Sequence, residues 1–320
     1  MSLAEIIGQE KAIEILTGIL KRRRLAGSYI FSGEPGIGKK LTAVNFAKAL
    51  NCLKDTDFDA CDECESCLKI KSGNHPDLLL VSPQDRLIKI DEIRLINDAL
   101  SFRPFEGRKK VVIVNDADAM NIAAANAFLK TLEEPPKDSV IILISSRPDR
   151  LPATIRSRCS RVNFVTLSLE ACKQVLRGRV PDEALEALAR LSMGRPGLAL
   201  SSDLKEEITW FGDLLKGMLN AEKDSWASRE DMDKWFEYVL TMLRDAAVFR
   251  ITGEASQMIN ADLGADLGEY ACKLGKSNDL KVIINIYKEL AFVKGLLMFN
   301  LNKSITWNYT ASLLRKGLVV

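Results

Sequence analysis

The sequence of 320 residues has no apolar run long enough for a membrane span, no low-complexity tract and no internal repeat. A spanning helix needs ~18 to 20 such residues, so nothing in it points to a bilayer. An excess of charge of one sign is missing as well. The 45 Lys and Arg against 43 Asp and Glu leave +2, too weak a bulk field to draw nucleic acid, so any DNA contact has to come from local arrangement. Met1 to Glu10 carries Glu5 and Glu10 and no basic stretch followed by an apolar one, so no signal peptide is expected and cytoplasmic residence is. Histidine occurs once, at His75, which reads as a turn residue and not as a ligand.

What is present is a soluble, globular composition, 47% hydrophobic and 28% charged, in a chain long enough for two or three domains. Up to about residue 165, helical and strand patterns alternate, which implies a parallel sheet flanked by helices. Helical spacing covers Gln9 to Leu20, Lys39 to Leu50, Asp91 to Phe102 and Ile122 to Leu132, the last stopped by Pro135 and Pro136. Strands are expected at Ser28 to Phe31, Leu78 to Val81, Val111 to Val114 and Val140 to Ile144. Lys21 to Arg24 closes the first helix, where cations suit the negative end of its dipole. After Leu167 three short helical patterns run to Ser202. Longer ones follow, one starting at a capping box of Ser228 and Asp231 and burying Trp235, Val239, Met242 and Ala246, another carrying Ile286, Leu290, Val293 and Leu297. The second stretch reads as a helical-bundle core.

The segment Gly33-Glu34-Pro35-Gly36-Ile37-Gly38-Lys39-Lys40 leaves a strand and opens a helix, the setting in which a glycine-rich loop wraps phosphates with backbone N–H groups. Lys39 is the expected phosphate cation. The next position breaks the pattern: a working loop has Ser or Thr there to bind Mg²⁺, whereas Lys40 has donors and no acceptor. Thr42 cannot stand in, since two helical residues on is about 200° around the axis. The strand Val111 to Val114 ends in Asn115-Asp116, where an ATPase of this kind presents Asp and then Glu. Hydrolysis is expected to fail.

Four of the seven cysteines, Cys52, Cys61, Cys64 and Cys67, crowd together with eight, two and two residues between them. That spacing suits a closed tetrahedral zinc site with no open position for catalysis. An iron–sulfur cluster is the less fitting alternative, because no close Cys-Pro follows Cys67, and disulfides or a vacant site are the others.

Asn126-Ala127-Phe128-Leu129-Lys130-Thr131-Leu132-Glu133-Glu134-Pro135-Pro136, followed by Ser157-Arg158-Cys159, resembles clamp-loader ATPases of the AAA+ class. Ile7-Gly8-Gln9, which in that family lies near the adenine, Ser145-Ser146, where the family places its first phosphate sensor, and Arg195, at the lid's sensor arginine, support the likeness over residues 1 to about 200. Beyond that only Leu301-Asn302-Lys303 helps. A Ser-Arg-Cys motif beside a damaged pocket looks like the delta prime branch of bacterial DNA polymerase III loaders. The resemblance implies an AAA+ P-loop parallel-sheet core over 1–166 with the cysteine module (52–67) inserted, a three-helix lid over 167–203 and an all-α collar over 204–320. It also implies gamma/tau and delta subunits as partners in a hetero-pentamer, a sliding clamp and primer-template DNA, ATP and Mg²⁺ absent or weakly bound in the loop, and Arg158 acting in trans as an arginine finger. An ion pair with Glu133 or Glu134 is the alternative use of Arg158.

Overall fold

The computed structural model describes all residues except 55–57, 85–86, 202–203, 221–222, 224–225, 260–263, 300 and 318–320. The first half folds as β1 (Ser28–Ser32), β2 (Leu78–Val81), β3 (Lys110–Val114), β4 (Ser139–Ser145) and β5 (Ser160–Asn163), interleaved with α1 (Glu10–Arg22), α2 (Lys39–Asn51), α3 (Glu65–Ser72), α4 (Ile90–Ser101), α5 (Ile122–Glu133) and the single turn α6 (Ala153–Arg156). The five strands form one parallel sheet in the order β2-β3-β4-β1-β5.

Burial explains the order. Every residue of β4 and β1 is buried, as are Val111 to Val114 of β3, and such continuous apolar runs belong where helices cover both faces. Full burial of each such side chain is worth about 1.5–3 kcal/mol. The rims are β2 and β5, and of β5 only Val162 is buried. One face of the sheet packs against Ile93, Ile96 and Leu100 of α4 and Phe128 and Leu132 of α5. Helix α1 stops where Arg23 turns left-handed, its N–H and that of Arg24 bonding back to Leu20 and Ile19, with Lys21 and Arg22 in the last turn.

The rest is helical: α7 (Leu169–Leu176), α8 (Asp182–Leu191), α9 (Pro196–Ser201), α10 (Leu204–Leu219), α11 (Arg229–Thr252), α12 (Gly264–Ser277), α13 (Leu280–Leu296) and α14 (Lys303–Gly317). Ser228 caps α11 by accepting the Asp231 N–H while Asp231 accepts the Ser228 N–H. The bundle core holds Trp235, Val239, Met242 and Ala246 of α11 with Ile286, Leu290, Val293 and Leu297, and Trp226 meets Trp307 edge-on at 5.1 Å between ring centres. Among the described residues no helix is long and apolar enough to cross a membrane.

The chain divides into two compact units, residues 1–175 with 194–198, and residues 176–193 with 199–320. Helix α8 therefore counts with the second unit, while 194–198 returns to the first. The expected end of the lid, at 203, lies outside the described residues.

Candidate nucleotide pocket and metal centre

Register gathers the pocket. Ser32 of β1 stands opposite Ser145 of β4, and Val114 of β3 opposite Leu143. The carboxyl ends of three adjacent strands thus bring Gly33, Asn115, Asp116 and Ser145 to one edge, where open parallel sheets bind their ligands.

The loop itself is tightly held. A methyl group on Gly33 would lie 2.5 Å from the Phe164 carbonyl oxygen, so no side chain fits there. Gly36, left-handed at φ 77°, meets the segment 194–198 at backbone distance: the Gly197 N–H donates to the Gly36 carbonyl at 2.8 Å. Gly38 precedes Lys39, the first residue of α2. The buried Lys39 ammonium donates to the carbonyls of Gly33 and Glu34 at 2.5 and 2.6 Å. Burial lowers its pKa, and the charges of Asp116, Glu34 and Asp118 oppose that shift. Gln9 pins the assembly from below: its Nε2 donates to the Ile37 and Val165 carbonyls (3.2 and 2.7 Å), and its Oε1 accepts the Val165 N–H (3.1 Å).

The positions expected to handle a metal are different in kind. Thr42 is buried and its hydroxyl donates to the Gly38 carbonyl at 3.0 Å, so it faces its own helix. Lys40 is exposed. The Asn115 amide donates to Asp116 Oδ2 at 2.8 Å, and Ser145 Oγ donates to Asp118 Oδ1 at 2.6 Å while accepting the Arg147 N–H. Burial raises the Asp116 pKa and the neighbouring Asp118 adds to it, while Lys39 and Lys40 pull the other way. Backbone N–H groups and Lys39 suit an anion here. Arg195 comes to the loop through its main chain, its carbonyl accepting the Leu198 N–H beside Gly36. Asp118 joins this group through Ser145, and in the sequence its only signal is an acidic residue two places past Asp116.

Arg158 lies at the opposite edge. Ser160 of β5 stands opposite Tyr29 near the start of β1, so Arg158 lies before the sheet begins while Gly33 follows its end. Four strand positions at ~3.3 Å each separate the level of Ser160 from that of Gly33 by about 13 Å, and Arg158 lies in the turn before Ser160. Arg158 Nη1 donates to the Thr154 carbonyl at 2.7 Å, and Nη2 forms an ion pair with the Glu133 carboxylate; both side chains are part-exposed, 32% and 46%. Ser157 Oγ also bonds the Thr154 carbonyl, at 3.1 Å. Burial pushes the Cys159 thiol up to about 12, and its side chain packs against the core under the sheet.

The four sulfurs of Cys52, Cys61, Cys64 and Cys67 all lie within 4.8 Å of one another, and the Cys61 and Cys67 sulfurs are 4.0 Å apart. A tetrahedron with ~2.3 Å metal–sulfur bonds has edges of about 3.8 Å, so the donor set is gathered to within about 1 Å of the size such an ion takes. Cys52 and Cys67 are buried. The Cys64 N–H points at the Cys61 sulfur and the Cys67 N–H at that of Cys64. The Glu63 backbone N–H leads in lowering the Cys61 thiol to about 6, while burial raises that of Cys67. His75 stands outside this set: buried, it takes the Asp77 N–H on Nδ1 and shares Nε2 with Ser66 Oγ, both at 3.1 Å. The module also grips the start of the chain, Asp59 accepting the N–H groups of Leu3 and Ala4 at 2.8 and 3.0 Å.

A family model described as DNA polymerase III, delta subunit, matches residues 8–168, half of the chain. The chain belongs to that family. It is 39% identical over 168 residues to the delta prime subunit of Bacillus subtilis, covering 52% of this chain and 51% of the relative, and 39% identical over 181 residues to that of Pseudomonas aeruginosa, covering 55% of each. The tau/gamma subunit of Haemophilus influenzae matches at 36% over 209 residues, 62% of this chain and 30% of the relative. The chain thus spans between 30% and 55% of the length of these relatives. A gamma-subunit-related protein of Thermotoga maritima aligns with 96% of this chain, 99% of its own, at 21% identity and a TM-score of 0.46. The matched span takes in the glycine loop, the cysteine module and the Ser157-Arg158-Cys159 motif.

Proposed function

We propose that the chain is a non-hydrolysing delta prime subunit of the DNA polymerase III clamp loader. In this reading it works in a cytoplasmic hetero-pentamer with gamma/tau and delta subunits, helps place a sliding clamp on primer-template DNA, and lends Arg158 to the ATP site of a neighbour. The observation that carries it is the separation of the two sites: a loop with Lys40 and Asn115 at the carboxyl end of the sheet, and a part-exposed arginine before its amino end, beyond the ~13 Å that four strand positions span. Phosphoryl transfer builds charge on the γ-phosphate oxygens, and a planar guanidinium answers it with paired hydrogen bonds and no risk of deprotonation. Residues 1–166, 167–203 and 204–320 serve as core, lid and collar, and Cys52, Cys61, Cys64 and Cys67 hold a structural zinc. Gly33, Gly36, Gly38 and Lys39 keep at most a weak nucleotide site, with Asp116, Ser145 and Arg195 around it.

The tau/gamma relative, matched over 62% of the chain, favours a second reading, an active ATPase subunit. One experiment separates the two. The purified chain is assayed for Mg²⁺-dependent ATP hydrolysis, then mixed with gamma/tau and delta subunits and assayed for co-elution and clamp loading. No turnover alone, together with a requirement for the chain in loading, supports the delta prime role. Robust turnover by the chain alone overturns it in favour of the second reading. With Arg158→Ala the complex should assemble and lose ATPase, by as much as ~10³-fold if the finger acts at full strength.

A further inference from the structure

Helix α5 ends at Glu133 and is capped by Glu134, two adjacent exposed carboxylates ahead of Pro135 and Pro136. Negative charge is misplaced there, since the carbonyl end of a helix already carries partial negative charge. Glu133 has a compensating partner brought from another element. Arg158, two residues beyond α6, reaches it with Nη2 while Nη1 bonds the Thr154 carbonyl. Two fixed acceptors, one at the end of α5 and one in α6, thus set the plane and direction of the guanidinium.

Both partners stay part-exposed, and an ion pair in such a setting is weak enough to exchange for another anion. A buried pair would lock the arginine; this one holds it in place and can release it.

We infer that Glu133 is a positioning residue for Arg158, an internal stand-in for phosphate that keeps the guanidinium oriented at the amino end of the sheet and gives it up when a neighbour's nucleotide arrives. The inference rests on the reading of Arg158 as acting in trans. Handing the arginine over leaves Glu133 unpaired at a helix end that disfavours it, so Glu133 sets part of the cost of engagement. Removing its charge while keeping its shape lowers that cost.

The test uses the reconstituted complex with four versions of this chain: unchanged, Glu133→Gln, Arg158→Ala and the double variant, each checked for assembly by co-elution. Steady-state ATP hydrolysis is read as KM and kcat. Glu133→Gln is expected to lower KM for ATP by about two- to five-fold, the scale of one exposed ion pair, with kcat little changed. In the Arg158→Ala background the same change should do nothing. Glu133→Asp, which keeps the charge, should behave more like the unchanged chain. An unaltered or raised KM in Glu133→Gln overturns the inference, as does an effect that persists without Arg158, since that is a merely structural glutamate. In those cases a loss of turnover in Arg158→Ala leaves the trans role standing. Normal turnover in Arg158→Ala removes the trans role itself, and the inference with it.

Discussion

The glycine loop and the four-thiol module occupy the two ends of one helix, α2, which opens at Lys39 and is capped by Cys52, yet they differ in what they retain. The module has its whole donor set, four sulfurs at metal-binding distance with two backbone N–H groups turned toward them. The loop has its shape and its lysine, with Lys40 and Asn115 at the two positions expected to carry a hydroxyl and a carboxylate. Its contacts hold that shape. Gly33 packs on the Phe164 carbonyl, Gly36 takes the Gly197 N–H, and Gln9 ties Ile37 to Val165. These join the loop to the residues that follow β5 and to 194–198, so altering it would disturb packing. Lys40 and Asn115 take no part in those contacts, so substitution there leaves the packing of the loop alone.

The comparison can be broken at the module first. Cys67→Ser, at a fully buried sulfur, should abolish zinc retention and cost more than ~3 kcal/mol of stability, because metal binding in such modules is itself folding free energy. Elemental analysis and thermal unfolding read the two effects; zinc content near one equivalent in the variant would remove the module from the argument.

The brace behind the far end of α2 comes next. The buried Asp77 carboxylate accepts the N–H groups of Phe105, Glu106 and Gly107 at 2.7, 2.9 and 2.8 Å, while Asn51, the last residue of α2, exchanges hydrogen bonds with Lys109. Burial works to raise the Asp77 pKa, but the three N–H groups prevail and hold it below the usual range. Asp77→Ala should cost about 2–3 kcal/mol. A depressed folded pKa stabilises above the unfolded value, ~3.9, and that share is lost as pH falls through the lower folded value. Denaturant titrations at pH 7 and pH 3 should show the gap between the unchanged chain and Asp77→Ala narrowing in acid.

A smaller effect sharpens the contrast at the loop. Lys40→Thr with Asn115→Asp together should raise Mg²⁺-dependent nucleotide affinity about tenfold, more than the two single changes combined, because both groups serve one ion. Titration calorimetry with and without Mg²⁺ decides it; equal affinity in both conditions would mean the loop has lost more than its metal donors. The smallest effect is Gly197→Ala. The added methyl would sit 2.8 Å from the Gly36 carbonyl oxygen, and a loss of about 1 kcal/mol is expected from that overpacking, measurable by denaturant unfolding without nucleotide.

Much of this was legible in the residues. Strands β1, β3 and β4 read as apolar runs because they fill the sheet centre, and α5 ended where its two prolines said it would. Strand β5 was not legible: Ser160-Arg161-Val162-Asn163 is a rim strand with one buried residue, so its pairing with β1 leaves almost no hydrophobic trace. Helix α3 was hidden because the residues that begin it, Cys64 as its cap and Cys67 within its first turn, also carry the metal spacing. For Arg158 the motif was visible, and Glu133 was one of two partners that reasoning could name. Choosing between them takes the meeting of α5 with α6, which no local pattern encodes. The same holds for Asp118 beside Ser145 and for the three bonds of Gln9.

The strand order has a consequence for how the chain is made. Strand β1 precedes the others, but it pairs only with β4 and β5: Ser28 waits for Ile141, and Tyr29 for Ser160. The cysteine module can close once Cys67 has been synthesised, about 95 residues before β5 is complete. At roughly 5 to 20 residues per second of synthesis, that interval is about 5 to 20 seconds. For that time Ser28–Ser32 and then Lys110–Val114 are apolar strands on a growing chain without their full set of neighbours, the state in which unpaired edges find the wrong partner. Slower synthesis between Cys67 and Asn163 therefore lengthens the time those segments stand without their partners.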